Sequence, residues 1–141
     1  MRAAIASDPP GQVVIRHSDP VRGVATSGRG GRSQSLGIAD SVTVLAISAA
    51  MADAAATMIA NAVDLHDHPA ITRQPARDLF PDSDLGDRPV TTLVARLTKA
   101  ERRTALSAGL SHAHDLRARG LIVSAALTLQ GETRLLDPDT L

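Results

Sequence analysis

Polar and apolar positions alternate with a period of two over residues 39–47, where Ser41-Val42-Thr43-Val44-Leu45 predicts a half-buried strand. The period then changes. Ala52, Ala56, Ile59 and Val63 recur at helical spacing, so a helix is expected from Ser48, a good N-cap residue, to about Val63. A second helix is marked by Thr98-Lys99-Ala100-Glu101, a capping box, followed by Leu106, Leu110, Ala113 and Leu116. Gly120 is expected to end it. Strands are expected at residues 12–16 (Val13-Val14-Ile15), 23–27, 89–95, 121–129 and 133–136. Gln130-Gly131-Glu132 predicts a tight turn joining the last two into a hairpin. Residues 1–11 show no periodicity and are expected to form a loop. Residues 64–89 hold Pro69, Pro75 and Pro81 among acids and histidines and read as irregular coil. Helices do not alternate regularly with strands. The expectation is therefore an α+β domain with a mixed or antiparallel sheet and two main helices.

Composition narrows the chemistry. The 141 residues suffice for one domain. Phe80 is the only aromatic residue, so aliphatic side chains must fill the core, and a ligand needing an aromatic platform must find it elsewhere. Fifteen basic and fifteen acidic residues cancel, which argues against a nucleic-acid surface. Without cysteine there is no thiol catalysis and no thiolate metal site. No apolar run approaches the ~20 residues of a membrane span, and the first six residues do not form a signal peptide. A cytoplasmic location is the expectation. Lys99 is the single lysine among the basic residues, which reads as base-composition bias.

Three segments carry the candidate chemistry: Ala25-Thr26-Ser27-Gly28, Ser41-Val42-Thr43-Val44-Leu45-Ala46 and Ala52-Asp53-Ala54-Ala55-Ala56-Thr57. Asp53 and Thr57, four apart on a helix, share a face and offer oxygen ligands of the kind Mg²⁺ takes. The plainer alternative is the solvent face of an amphipathic helix. The glycines of Gly28-Arg29-Gly30-Gly31-Arg32-Ser33 would let backbone N–H groups approach a phosphate, with the two arginines as clamps; the alternative is a surface turn. Its ending is not that of a P-loop. Asp64, His66, Asp67 and His68 are possible metal ligands without diagnostic spacing, and His112 and His114 diverge on a helix. Asp82, Asp84, Gly86 and Asp87 start like a calcium loop, but its closing glutamate position is Leu93. No nucleophile–base pair is legible, so catalytic residues are unassigned.

In their order, the three segments resemble the C-terminal half of the ApbE-like flavin transferases. They are most similar to a short branch labelled ApbE-like or thiamine biosynthesis ApbE-related. The resemblance is strong over residues 23–65 and continues to the C-terminus. It implies the C-terminal part of an ApbE-like fold, with FAD as substrate or ligand and Mg²⁺ as metal. The implied activity is FMN transfer to a protein threonine or FAD hydrolysis. By position, Asp53 and Thr57 are the implied metal ligands, and Thr26, Ser27 and Gly28 the implied cofactor-binding segment. The His-Ile-x-Asp-Pro-x-Thr-Gly segment of the larger enzymes is missing between the first two motifs, a loss the short branch shares. The N-terminal half, with its Gly-Gly-Asp motif, also has no counterpart. An N-terminally truncated single domain is therefore expected, with a homo-oligomer or a partner supplying the missing half. The alternative function is a non-catalytic ligand-binding or subunit-interaction module.

Overall fold

The computed structural model describes residues 12–31 and 33–136. The loop expected at residues 1–11 and the side chain of Arg32 lie outside the described residues. Among the described residues, six strands and three helices follow in the order β1 (Gly23–Ser27), β2 (Ser41–Ala46), α1 (Ala49–Ala62), β3 (Ile71–Pro75), α2 (Ala76–Leu79), β4 (Pro89–Val94), α3 (Lys99–Ala118), β5 (Ser124–Leu129) and β6 (Glu132–Leu136). The first sheet has strand order β1-β2-β5-β6, and β3 and β4 form a separate ribbon. Every pairing is antiparallel, and the architecture is α+β.

Register sorts the residues of the large sheet onto two faces. Ala25, Val44, Ala125 and Leu136 form one row across all four strands, and Ser27, Val42 and Leu127 the next. These rows face the helices and hold the core with Ile38, Ile59, Val63, Leu97 and Leu106. α1 lies over β1 and β2, α3 lies over β5 and β6, and the two helices pack on each other. Their contact is close because Gly109 carries no side chain: a Cβ there would sit 2.3 Å from Val63 Cγ2. Small residues also bring α1 down onto the sheet, since its buried positions are Ala52, Ala55, Ala56, Ile59 and Ala60. The opposite sheet face carries Val24, Thr26, Thr43, Leu45, Ala126 and Leu135, and among the described residues no helix packs on it. Val24 is 39% and Leu135 68% exposed there.

The caps form as expected. Ser48 Oγ accepts from the Met51 N–H at 3.2 Å, and Thr98 and Glu101 make a reciprocal capping box. The β5–β6 turn is tight, with positive φ at both Gln130 and Gly131.

Three expectations are corrected. Residues 12–16 form no strand; Val13, Val14 and Ile15 are exposed, and among the described residues no strand pairs with them. The stretch 64–89 is not coil throughout. It contains β3 and α2, and the turns of residues 80–88 are held by hydrogen bonds such as Arg77 N–H to the Gly86 carbonyl at 2.9 Å. The strand expected at 121–129 begins at Ser124.

Candidate functional site

β1 is an edge strand that ends against a glycine. Gly28 has φ +128°, and a Cβ on it would meet the Asp40 carbonyl oxygen at 2.7 Å. The chain turns there, with the Gly31 N–H donating to the Gly28 carbonyl at 3.1 Å. It then runs back along α1. Gly37 makes that approach possible, because a Cβ there would lie 2.2 Å from the Ala60 carbonyl oxygen. The Ile38 N–H donates to the Val63 carbonyl at 2.8 Å, and the Leu36 N–H donates to Asn61 Oδ1 at 3.2 Å. Arg73 donates both to the Leu36 carbonyl and to the Asp64 carboxylate, tying loop, ribbon and helix end together.

The far side of the loop is stitched to residues 80–88. Gln34 donates to the Ala76 carbonyl at 3.3 Å and accepts from Ser83 Oγ at 2.9 Å. The Thr91 N–H donates to the Ser35 carbonyl at 2.9 Å. Between these walls opens a cleft of about 590 Å³. β1 and its turn contribute Thr26, Ser27 and Gly28; α1 contributes Asp53, Thr57 and Asn61; residues 80–88 contribute Asp84, Leu85 and Arg88. Ser33, Ser35 and Leu36 complete much of the remaining wall.

All five residues singled out from the sequence, Thr26, Ser27, Gly28, Asp53 and Thr57, therefore line one cleft, though β1 and α1 are separate elements. Asp53 and Thr57 are both exposed on the same helix face. Asn61 continues that face one turn further, so the three side chains span about 12 Å of helix at a rise of 1.5 Å per residue. The pleat distinguishes the two hydroxyls of β1. Thr26 Oγ1 lies 2.8 Å from Thr43 Oγ1, on the sheet face turned away from the helices, while Ser27 shares a row with the helix-facing Val42.

Other candidate groups do not converge. His66 is exposed, with Nδ1 3.5 Å from the Asp64 carboxylate that also pairs with Arg73. Asp67 sits in a turn at φ 53°. His68 Nδ1 accepts from the Ala70 N–H at 3.2 Å, which leaves Nε2–H to donate to Glu101 Oε1 at 3.0 Å. Asp87 pairs with Arg77 rather than closing a calcium loop. Among the described residues no three His, Asp or Glu side chains could together hold a metal ion. Arg29 does not line the cleft; Arg88 is its arginine among the described residues. Arg88 and Ser35 carry no sequence signal of their own, and Asp84, singled out only as part of a calcium-loop-like run, reaches the cleft with them through contacts between loops about fifty residues apart.

One polar atom in the cleft wall stands out. Ser35 is 8% exposed, and its Oγ is buried without a hydrogen-bond partner.

A family model described as AbpE bacteria matches residues 1–135. The chain belongs to that family. No curated protein and no solved structure matches it. Among the described residues no helix is long and apolar enough to cross a membrane.

Proposed function

We propose that the cleft is a Mg²⁺-dependent flavin-nucleotide site that binds FAD or FMN and supports FMN transfer or FAD hydrolysis. The observation that supports this reading is the convergence of Ser27 and Gly28 with Asp53 and Thr57 on one cleft. That is the juxtaposition the resemblance to flavin transferases implies. The residues fit a metal that is shared with a ligand. Asp53 and Thr57 supply two oxygens on one exposed helix face, and Mg²⁺ keeps waters and phosphate oxygens for the rest of its octahedron. They do not fit a self-sufficient metal centre, because no third acidic or histidine ligand joins them among the described residues. When bound, the ion neutralises charge on the pyrophosphate. The chain's own contribution is positional. Gly28 lets the turn after β1 pack against the backbone of Ala39 and Asp40. Their carbonyls and that of Gly28 take the N–H groups of residues 29–31, so the glycine loop expected to cradle a phosphate has those donors already used. Ser27 offers a hydroxyl on the helix-facing side of β1. Arg88 supplies a positive charge in the opposite wall.

Titration calorimetry of FAD with and without Mg²⁺, on wild type and Asp53→Ala, tests this reading. Mg²⁺-dependent binding that disappears in the variant is expected. No binding by the folded wild-type chain overturns the reading.

A second reading, a subunit-interaction module without catalysis, draws on the sheet face that no helix among the described residues covers, where Val24 and Leu135 are exposed. Under it Asp53→Ala changes nothing, and light scattering on Leu135→Glu reports a loss of self-association.

A further inference from the structure

A hydroxyl buried without a partner is an anomaly in a folded protein, where buried polar groups are nearly always hydrogen-bonded. Ser35 Oγ is such a group, more than nine-tenths buried with its residue, and it belongs to the wall of the cleft. The backbone of Ser35 is fixed. Its carbonyl accepts from the Thr91 N–H at 2.9 Å, and the next residue, Leu36, donates to Asn61 Oδ1 at 3.2 Å. The hydroxyl therefore sits on a rigid wall, free only to turn about χ1, a low-cost move between staggered positions. Asn61 Oδ1 is occupied by Leu36, which leaves its amide N–H groups outside that bond. Ser35 and Asn61 both line the cleft and offer it two neutral hydrogen-bond donors. Asp53 lies about 12 Å from Asn61 along α1.

We propose that Ser35 is a ligand-anchoring residue: its hydroxyl turns into the cleft and donates, beside the Asn61 amide, to an uncharged acceptor on the heterocycle-and-sugar part of a bound nucleotide. The inference rests on the nucleotide reading of the cleft. It assigns the two residue pairs different tasks, with phosphates and metal near Asp53 and Thr57 and the neutral part of the ligand near Ser35 and Asn61. Leu36, bonded to Asn61 and next to Ser35, also lines the cleft and adds an apolar side chain that suits a flat, weakly polar group.

The test compares wild type, Ser35→Ala and Asp53→Ala in two assays. Calorimetry with FAD and with inorganic pyrophosphate, both in Mg²⁺, reads the binding. The expected result for Ser35→Ala is roughly a tenfold weaker Kd for FAD, the loss of one hydrogen bond, with pyrophosphate binding unchanged. Asp53→Ala is expected to lose both. Thermal unfolding without ligand is the second assay. Removing a hydroxyl that has no partner is expected to leave the Tm of Ser35→Ala unchanged or higher. A lower Tm means that the hydroxyl is structural and overturns the proposal. Equal weakening of FAD and pyrophosphate overturns the division of the cleft, and unchanged FAD affinity overturns the anchoring role while the nucleotide reading stands. A wild-type chain that binds pyrophosphate and not FAD overturns both readings of the ligand. A folded wild-type chain that binds neither probe overturns this proposal together with the reading it rests on.

Discussion

Asn61 Oδ1 accepts the backbone N–H of Leu36 at 3.2 Å, so the side chain that ends the Asp53–Thr57 face of α1 also holds the opposite loop in place. Replacing Asn61 with Leu leaves that N–H without its partner, and a loss of about 1.5 kcal/mol is expected in urea unfolding. Asn61→Asp keeps the acceptor oxygen and is expected to recover most of it. If the two variants unfold alike, the bond does not hold the loop.

Gly28 is expected to tolerate no side chain. Its φ of +128° disfavours any L residue, and a Cβ would lie 2.7 Å from the Asp40 carbonyl oxygen. Gly28→Ala should cost about 2 kcal/mol and displace the turn after β1. Chemical denaturation measures the first. Amide chemical-shift changes confined to residues near 26–31 and 40 check the second.

Arg73 bridges three elements by pairing with Asp64 and with the Leu36 carbonyl. The Asp64 side chain is 9% exposed and that of Arg73 23%, so removing the cation leaves a nearly buried carboxylate with only the distant His66 contact. Arg73→Met is expected to destabilise the chain by about 2 kcal/mol. The double variant Arg73→Met/Asp64→Asn should recover part of that loss, because it removes the unpaired charge as well.

Glu101 gives the pH dependence a sign. The Thr98 backbone N–H first, then the Thr98 hydroxyl and His68, hold its carboxyl below the ordinary glutamate range, and burial opposes them. A carboxylate whose folded pKa is depressed stabilises the fold above its unfolded pKa. That stabilisation is lost as pH falls through the lower folded value. Wild type is therefore expected to lose an increment of stability in that acidic window which Glu101→Gln does not lose. Thermal melts of both chains at pH values spanning it decide the matter; parallel curves refute the assignment.

Asp53 is exposed in the interior of an alanine-rich helix. Asp53→Ala should change stability by no more than about 0.5 kcal/mol, since alanine is the better helix former and no packing is lost. A loss of Mg²⁺-dependent binding in that variant then reports on the site rather than on folding.

The elements that were legible in the sequence are those whose signals are local. β2 shows its period in Val42, Val44 and Ala46, α1 in its Ser48 cap and alanine stripe, and α3 in the Thr98–Glu101 box. The errors arise where pairing decides. Val13-Val14-Ile15 has the composition of a strand but pairs with no strand among the described residues and is exposed. β3 reads Ile-Thr-Arg-Gln-Pro, with a single large aliphatic residue, and it is a strand because β4 pairs with it. The candidate site divides in the same way. Asp53 and Thr57 are neighbours on a helix, and their spacing alone placed them together. Ser35 and Arg88 meet the cleft because long-range bonds, Gln34 to Ala76 and Ser83 and Thr91 to Ser35, bring the two loops together, a relation no local pattern encodes.

The missing side chain of Gly23 has a consequence for motion. A Cβ there would lie 2.2 Å from the Ser48 carbonyl carbon, so the start of β1 is pressed against the cap of α1. Strand and helix are held together at that end, so Thr26 to Gly28 share one wall with Asp53 and Thr57. The other wall, residues 80–88, is mostly exposed and held by Gln34, the Thr91–Ser35 bond and the Arg77–Gly86 bond. Amides around Asp84 and Leu85 should exchange with solvent well before those of α1.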